Sequence, residues 1–285
     1  MRAIVFSFLL TVMSMAAPLL AAENASSFNV ISFNIRYNNP GDGEHAWPNR
    51  KENVAAVIRF HQADIVGMQE ALRGQIDDLQ ELLPEFAWIG VGRDDGVNQG
   101  EFSPVFYRRD RFAVVENGTF WLSESPEVVA SKSWDAAITR IANWAIMEDR
   151  TSLQRFFLLN THFDHRGEQA RTESAQLIVD RAGQLAGSLP VIISGDFNVP
   201  PAADAYRTMT ASFSDSYHRT ITAPYGPEGT FGGFIVGASP NVNRIDYVFV
   251  DDAIEVLRYG VLTDQWDGSY PSDHLPVLVE LVIPQ

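Results

Sequence analysis

The stretch Ser194-Gly195-Asp196-Phe197-Asn198 directly follows the apolar run Val191-Ile192-Ile193, which sets a carboxylate and an amide at the carboxyl end of a predicted buried strand. Open α/β sheets bind their ligands at such ends. On an extended chain Asp196 and Asn198 share one face while Phe197 takes the other. A negative acceptor beside a group carrying both donor and acceptor atoms suits a hydrated divalent cation and a phosphoryl oxygen. The same residues also read as a polar turn, because Gly-Asp and Asn-Val-Pro-Pro are ordinary turn chemistry.

Polar groups at other strand ends favour the first reading. Asn34 closes the alternating run Phe28-Asn29-Val30-Ile31-Ser32-Phe33, and Glu70 closes Ile65-Val66-Gly67-Met68-Gln69. His162, Asp164 and His165 follow the run from Phe156 to Thr161. Asp246 precedes Tyr247-Val248-Phe249-Val250, and Asp273 and His274 precede Leu275-Pro276-Val277-Leu278-Val279. Carboxylates, amides and imidazoles repeated at strand ends are expensive as buried structure and useful as an active site.

Residue type narrows the chemistry. Glu70 reads as a helix cap or, with Asn34 and Asp273 at other strand ends, as a ligand for a hard cation, Mg²⁺ or Mn²⁺. The His162-x-Asp164-His165 pattern could bind zinc, but there is no cysteine to complete a structural site. We read His162 as a donor facing phosphate, with Asp164 on the same strand face and His165 beside it as support. Arg140, ahead of a buried strand, reads equally as a phosphate fork and as a salt-bridge partner of Asp135. Trp134, Trp266 and Phe231 fall in loops near these elements, where stacking on a substrate ring competes with packing. Arg36 and Asn38 follow Asn34 and are candidates for the pocket floor.

The elements that must position these groups are legible as alternating strand runs and helical patterns. Helices are predicted over 48–61, 73–83 and 167–186, the last burying Ala170, Ser174, Leu177, Ile178, the Arg181 stem and Leu185. Residues 104–115 read as a hairpin. Strands in runs with helices between them predict two packed mixed β-sheets flanked by helices, a four-layer α/β sandwich.

Composition sets further bounds. With 285 residues and 46% hydrophobic content the chain can bury a full core, and it holds no cysteine for a disulfide framework. Met1-Arg2, an apolar run and small residues up to Ala21-Ala22 read as a signal peptide over 1–22, leaving a single catalytic domain over 23–285. Leu20 departs from the A-x-A cleavage pattern. The expectation is an exported monomer, periplasmic or secreted, with no transmembrane anchor after the leader is removed. The formal charge is −15, one unit more negative without Arg2, and no Lys/Arg run forms a nucleic-acid stripe.

The motifs Ser32-Phe33-Asn34, Gln69-Glu70, Gly100-Glu101, Asn160-Thr161-His162-Phe163-Asp164-His165, Gly195-Asp196-Phe197-Asn198, Arg244-Ile245-Asp246-Tyr247 and Ser272-Asp273-His274 occur in this order over nearly the whole chain. Together they resemble the endonuclease/exonuclease/phosphatase superfamily, the deoxyribonuclease I-like metal-dependent phosphoesterases. Ile35-Arg36-Tyr37, Ser133-Trp134-Asp135, Arg140-Ile141-Ala142 and the run from Gly229 to Phe234 are similar to a bacterial exported branch. The resemblance implies the same sandwich and metal-assisted hydrolysis of a phosphate ester. It implies that Asp246 orients His274 as the base toward water, with Asp196 as the alternative base, and that Glu101 supports His162 in the same way. Asn198 and His162 are then the donors to the phosphoryl group. A small sugar-, nucleotide- or lipid-linked phosphodiester or phosphomonoester suits the acidic balance. An extracellular nuclease is the alternative and needs a positive groove; an inactive binding protein is the third reading.

Overall fold

Alternation of side chains along each strand sorts the interior of this computed structural model into three apolar layers. The structure describes residues 26–237 and 243–284; the leader expected at 1–22 lies outside them. In chain order the strands begin with β1 (Phe28–Asn34), β2 (Ile65–Gln69), β3 (Phe86–Ile89) and β4 (Val105–Arg108). Then come β5 (Phe112–Trp121), β6 (Ile141–Asp149), β7 (Arg155–His162) and β8 (Val191–Asp196). The last four are β9 (Ser214–Asp215), β10 (Asp246–Val250), β11 (Glu255–Val261) and β12 (Val277–Val282). Among the described residues they form two six-stranded mixed sheets, β11-β12-β1-β2-β4-β3 and β5-β6-β7-β8-β10-β9.

Helices α1 (Lys51–Phe60) and α2 (Arg73–Leu82) cover the outer face of the first sheet. There Val54, Val57, Ile58, Ile76 and Leu79 meet Ile31, Phe33, Val66 and Met68. Helices α3 (Glu168–Ala186) and α4 (Asp204–Thr210) cover the second, where Ala175, Ile178, Ala182 and Met209 meet Phe157, Leu159, Ile193 and Phe249. Between the sheets lie Val30, Ile65, Phe156, Leu158, Ile192 and Val248. The architecture is the expected four-layer α/β sandwich.

The inter-sheet face of each central strand changes character toward one edge, in steps of two residues. It runs Val30, Ser32, Asn34 on β1; Leu158, Asn160, His162 on β7; Ile192, Ser194, Asp196 on β8; and, read backwards, Val248, Asp246 on β10. A buried polar layer separates the dry core from that edge. Gln69 Nε2 donates to Asn160 Oδ1 at 2.8 Å, Ser194 Oγ donates to the same oxygen at 3.0 Å, and Asn160 Nδ2 donates to the Met68 carbonyl at 2.7 Å.

Strand direction gathers the site. β1 and β2 are parallel, as are β7 and β8, so their carboxyl ends meet. β12 runs antiparallel to β1 and β10 antiparallel to β8, so the residues that begin them arrive at the same edge.

Two expectations need correction. Residues 104–115 are not a hairpin: β4 pairs with β2 and β3, whereas β5 pairs with β6 in the other sheet. The turn carries the chain across the sandwich, and Arg111 ties it to both sheets through Asp64 at 3.1 Å and Asp149 at 3.3 Å. In α3 the buried face is made of small residues, Ala170, Ser174, Ala175, Ala182 and Ala186 with Ile178, while Leu177 and Leu185 are only partly buried. Small side chains let the helix lie close to its sheet.

Candidate active site

The gathered edge opens into a cleft of about 450 Å³ lined by polar and charged side chains from both sheets. Arg36, Tyr37, Glu70, Phe231, Asp273 and His274 belong to the first sheet and its loops or to the segment that pairs with them; Arg140, His162, His165, Asp196 and Asn198 belong to the second. Three lining residues other than glycine, Arg36 (φ 55°), Glu70 (φ 62°) and Asn198 (φ 51°), occupy the left-handed backbone region at strand ends. Each such residue costs about 1–3 kcal/mol, and that strain collects where side chains must be aimed.

His274 is buried and held by its Nδ1, 2.9 Å from Asp246 Oδ2. This contact leaves Nε2 as the working nitrogen. It lies 3.8 Å from Asp196 Oδ2 and 3.4 Å from Asn34 Nδ2. Burial works against a charge on His274, but Asp246 and Asp196 outweigh it and hold its pKa well above the ordinary value. Arg244, two residues before Asp246, does not compete for it, being ion-paired with Asp215 in the interior.

Asp196 is the hub. Its Oδ2 accepts from Asn34 Nδ2 at 3.0 Å and lies 3.2 Å from His162 Nε2, while Oδ1 accepts from the Asn198 backbone N–H at 2.9 Å. Burial opposes its ionisation, yet His162 and His274 reverse the balance and push its pKa down. Asn198 Nδ2 lies 3.1 Å from His162 Nε2 and donates to the Phe163 carbonyl at 3.1 Å. Asn198 therefore reaches the cleft by a turn with positive φ, not by continuing β8 as an extended chain.

Glu70 and Asp273 form the acidic wall. Glu70 accepts from the Tyr37 N–H at 3.1 Å and from Asn34 Nδ2 at 3.2 Å. Burial disfavours its charge, but His162 and His274 lower its pKa overall. Asp273 is pushed the other way, by burial and by the charge of Glu70. The nearest guanidinium, Arg36, is 3.9 Å from each carboxylate and makes its hydrogen bonds to Asp42 instead. Two neighbouring half-buried carboxylates that accept no hydrogen bond from a guanidinium are a hard-oxygen donor set that fits Mg²⁺ or Mn²⁺. Asn34, expected beside them as a ligand, turns its amide hydrogens toward Glu70 and Asp196 and its oxygen toward the Arg36 N–H, so it orients the carboxylates. Asp196, Asp246 and His274 also present donor atoms within 4.8 Å of one another. There, however, Nδ1 and Asp246 are already engaged with each other.

The sequence matches the endonuclease/exonuclease/phosphatase family over residues 31–274. The chain belongs to this family. All three activities in the family's description break phosphate ester bonds, so the protein is a phosphoesterase hydrolase. A family member from Bacteroides thetaiotaomicron superposes with a TM-score of 0.88 at 40% identity, over 91% of this chain and 99% of that one. A mannosyl-6-phosphatase of Bacteroides thetaiotaomicron gives 0.87 at 40% identity, over 90% and 99%. Human nocturnin is 24% identical over 82% of this chain. The chain spans less than two thirds of several curated relatives, including 58% of human nocturnin.

Against this family frame some expected residues take other places. Glu101 does not hold His162, whose Nδ1 is buried without a hydrogen-bond partner; Glu101 is instead ion-paired with Arg93 at 2.7 Å. Asp164 does not support His162 either, since β7 ends at His162 and the chain then turns. Its carboxylate accepts the N–H groups of Ala137, Ile138, Arg166 and Gly167, and these contacts overcome burial and bring its pKa down to about 2. Asp135 binds the N–H of Ala170 at the start of α3, which frees Arg140 for the cleft. Phe231 lines the cleft with its ring 4.8 Å from that of His274, whereas Trp266 packs on the α1/α2 core and Trp134 and Asn38 are not among the lining residues. Sequence reasoning missed Arg50, whose buried guanidinium donates to the carbonyls of Ile35, Arg36 and Pro271 and so joins the two loops bearing Glu70's neighbours and Asp273. It also missed Tyr37 and Ile138 as cleft residues.

Proposed function

We propose that the protein is an exported, divalent-metal-dependent phosphoesterase that hydrolyses a small phosphate ester by direct attack of water. The observation that carries this is the meeting, in one cleft, of the Asp246–His274 pair and the Glu70–Asp273 carboxylates. Mg²⁺ or Mn²⁺ held by Glu70 and Asp273 would polarise the phosphoryl oxygen and offset charge on the leaving oxygen. His274 accepts the water's proton at Nε2 while Asp246 fixes the ring through Nδ1. His162 and Asn198 stabilise the charge that develops on phosphorus-bound oxygens. The mannosyl-6-phosphatase likeness supports a sugar-linked substrate, and the leader pattern supports export to the periplasm or medium. The nuclease reading draws on the likeness to nocturnin and on the family's endonuclease and exonuclease members.

The test is one purified preparation, stripped of metal and assayed with phosphomonoesters, phosphodiesters, DNA and RNA before and after Mg²⁺ is returned. Activity should vanish and return, and Mg²⁺ should raise the Tm of the wild type but not of Glu70→Gln. Full turnover in the stripped protein removes the cation from the mechanism.

A further inference from the structure

Arg140 is 5% exposed and lines the cleft, yet it is poorly satisfied by the protein. A guanidinium carries five N–H donors. Here one hydrogen bond is made, from Nη2 to His165 Nδ1 at 3.4 Å. Nε is buried without a partner, and Nη1 is 3.9 Å from Glu101, beyond hydrogen-bond reach. Glu101 is itself committed to Arg93. A buried cation with empty donors is unfavourable unless a ligand brings acceptors.

His165 adds to the same feature. Arg140 can only donate, so His165 Nδ1 is the acceptor and the proton of the neutral ring sits on Nε2. Burial and the charge of Arg140 both favour that neutral form. The pair therefore offers hydrogen-bond donors alone, apart from the acidic wall of Glu70 and Asp273.

We propose that Arg140 and His165 form a subsite for the third non-bridging oxygen of a terminal phosphate, making the enzyme select phosphomonoester dianions over phosphodiesters. This rests on the phosphoesterase reading of the cleft given above. A terminal phosphate near pH 7 carries about −1.5 to −2 charge and three acceptor oxygens. The cleft holds three sets of partners: the acidic wall, which would hold the cation, His162 with Asn198, and Arg140 with His165. A diester has two non-bridging oxygens, so its second organic group would be pressed against the guanidinium and leave it unsatisfied. In the reaction the water oxygen bonds to phosphorus and the ester P–O bond breaks. His274 takes one proton from the water, the leaving alcoholate takes up one proton from solvent, and the products are the alcohol and inorganic phosphate.

The experiment compares p-nitrophenyl phosphate with bis(p-nitrophenyl) phosphate, which share a leaving group, in Mg²⁺ buffer for the wild type, Arg140→Met, Arg140→Lys and His165→Ala. Arg140→Met should lower kcat/KM on the monoester about a hundredfold. The monoester-to-diester ratio should fall at least about tenfold, with Arg140→Lys recovering only part of it. Calorimetric titration with inorganic phosphate should show weakened binding in Arg140→Met, and in His165→Ala if Arg140→Met does not fold. Equal losses on both esters, or unchanged phosphate affinity, overturns the proposal. A wild type that hydrolyses neither ester counts against the small-ester reading of the cleft instead, and the phosphate titration then decides the subsite by itself.

Discussion

The division of labour between His274 and Asp196 follows from which carboxylates each one faces. A general base needs appreciable affinity for a proton, and Asp196, depressed by two imidazoles, has little. His274 gains affinity from Asp246 and Asp196 together, against the effect of burial. His274→Ala should therefore lower kcat by about two or more orders of magnitude, the usual range for loss of a general base. Asp246→Asn should lose less, because the amide can still orient the ring. It also removes a negative charge that raises the His274 pKa, so the acid limb of the kcat/KM–pH profile should move to lower pH. An acid limb that stays in place or moves upward would transfer the role of base to Asp196.

The central strands do two jobs, and the polar layer beneath the cleft is where the jobs meet. Gly67 lies there because a Cβ would collide with Ser194 Oγ and come within 2.6 Å of Asn160 Oδ1. Gly67→Ala should destabilise the protein by about 1–3 kcal/mol, as overpacking does, and a shift in the urea midpoint without a change in slope would register it. Asp164 makes a related argument at the loop between β7 and α3. Its pKa of about 2 is below the ordinary value near 3.9, so its contribution to stability is full above roughly pH 4 and lost as pH falls through about 2. In Asp164→Asn that part of the acid dependence should disappear; an unchanged stability–pH curve between pH 4 and 2 would show that the carboxylate anchors nothing. Strand ends such as Asn34, Asp196 and Asp246 were legible because a period of two and a polar stop are local signals. The crossing at residues 109–111 was not, because two strand runs joined by a charged turn look the same whether they pair with each other or with different sheets. The partner of Glu101 was equally hidden, since Arg93 competes with His162 only after the chain has folded. Arg50 left no mark either: its acceptors are carbonyls of four separate residues, which any sequence supplies.

At the scale of the whole molecule, charge and cleft size decide between a small substrate and a nucleic acid. A chain of formal charge −15 repels a polyanion approaching over many phosphates, whereas a small ester meets chiefly the field of the cleft. The cleft, about 450 Å³, matches the volume of small-molecule sites. Salt separates the two readings by sign. A nuclease that binds through Lys and Arg loses kcat/KM on DNA as salt rises, because counterion release is weakened. Here added salt screens repulsion, so any residual cleavage of DNA or RNA should rise between low and moderate ionic strength, while hydrolysis of a sugar phosphate changes little. The measurement is kcat/KM on plasmid DNA, RNA and a sugar phosphate at two salt concentrations in one Mg²⁺ buffer. Efficient nucleic-acid cleavage that exceeds the sugar phosphate at low salt and falls as salt is added would establish a positive groove that the formal charge does not reveal, and with it the nuclease reading.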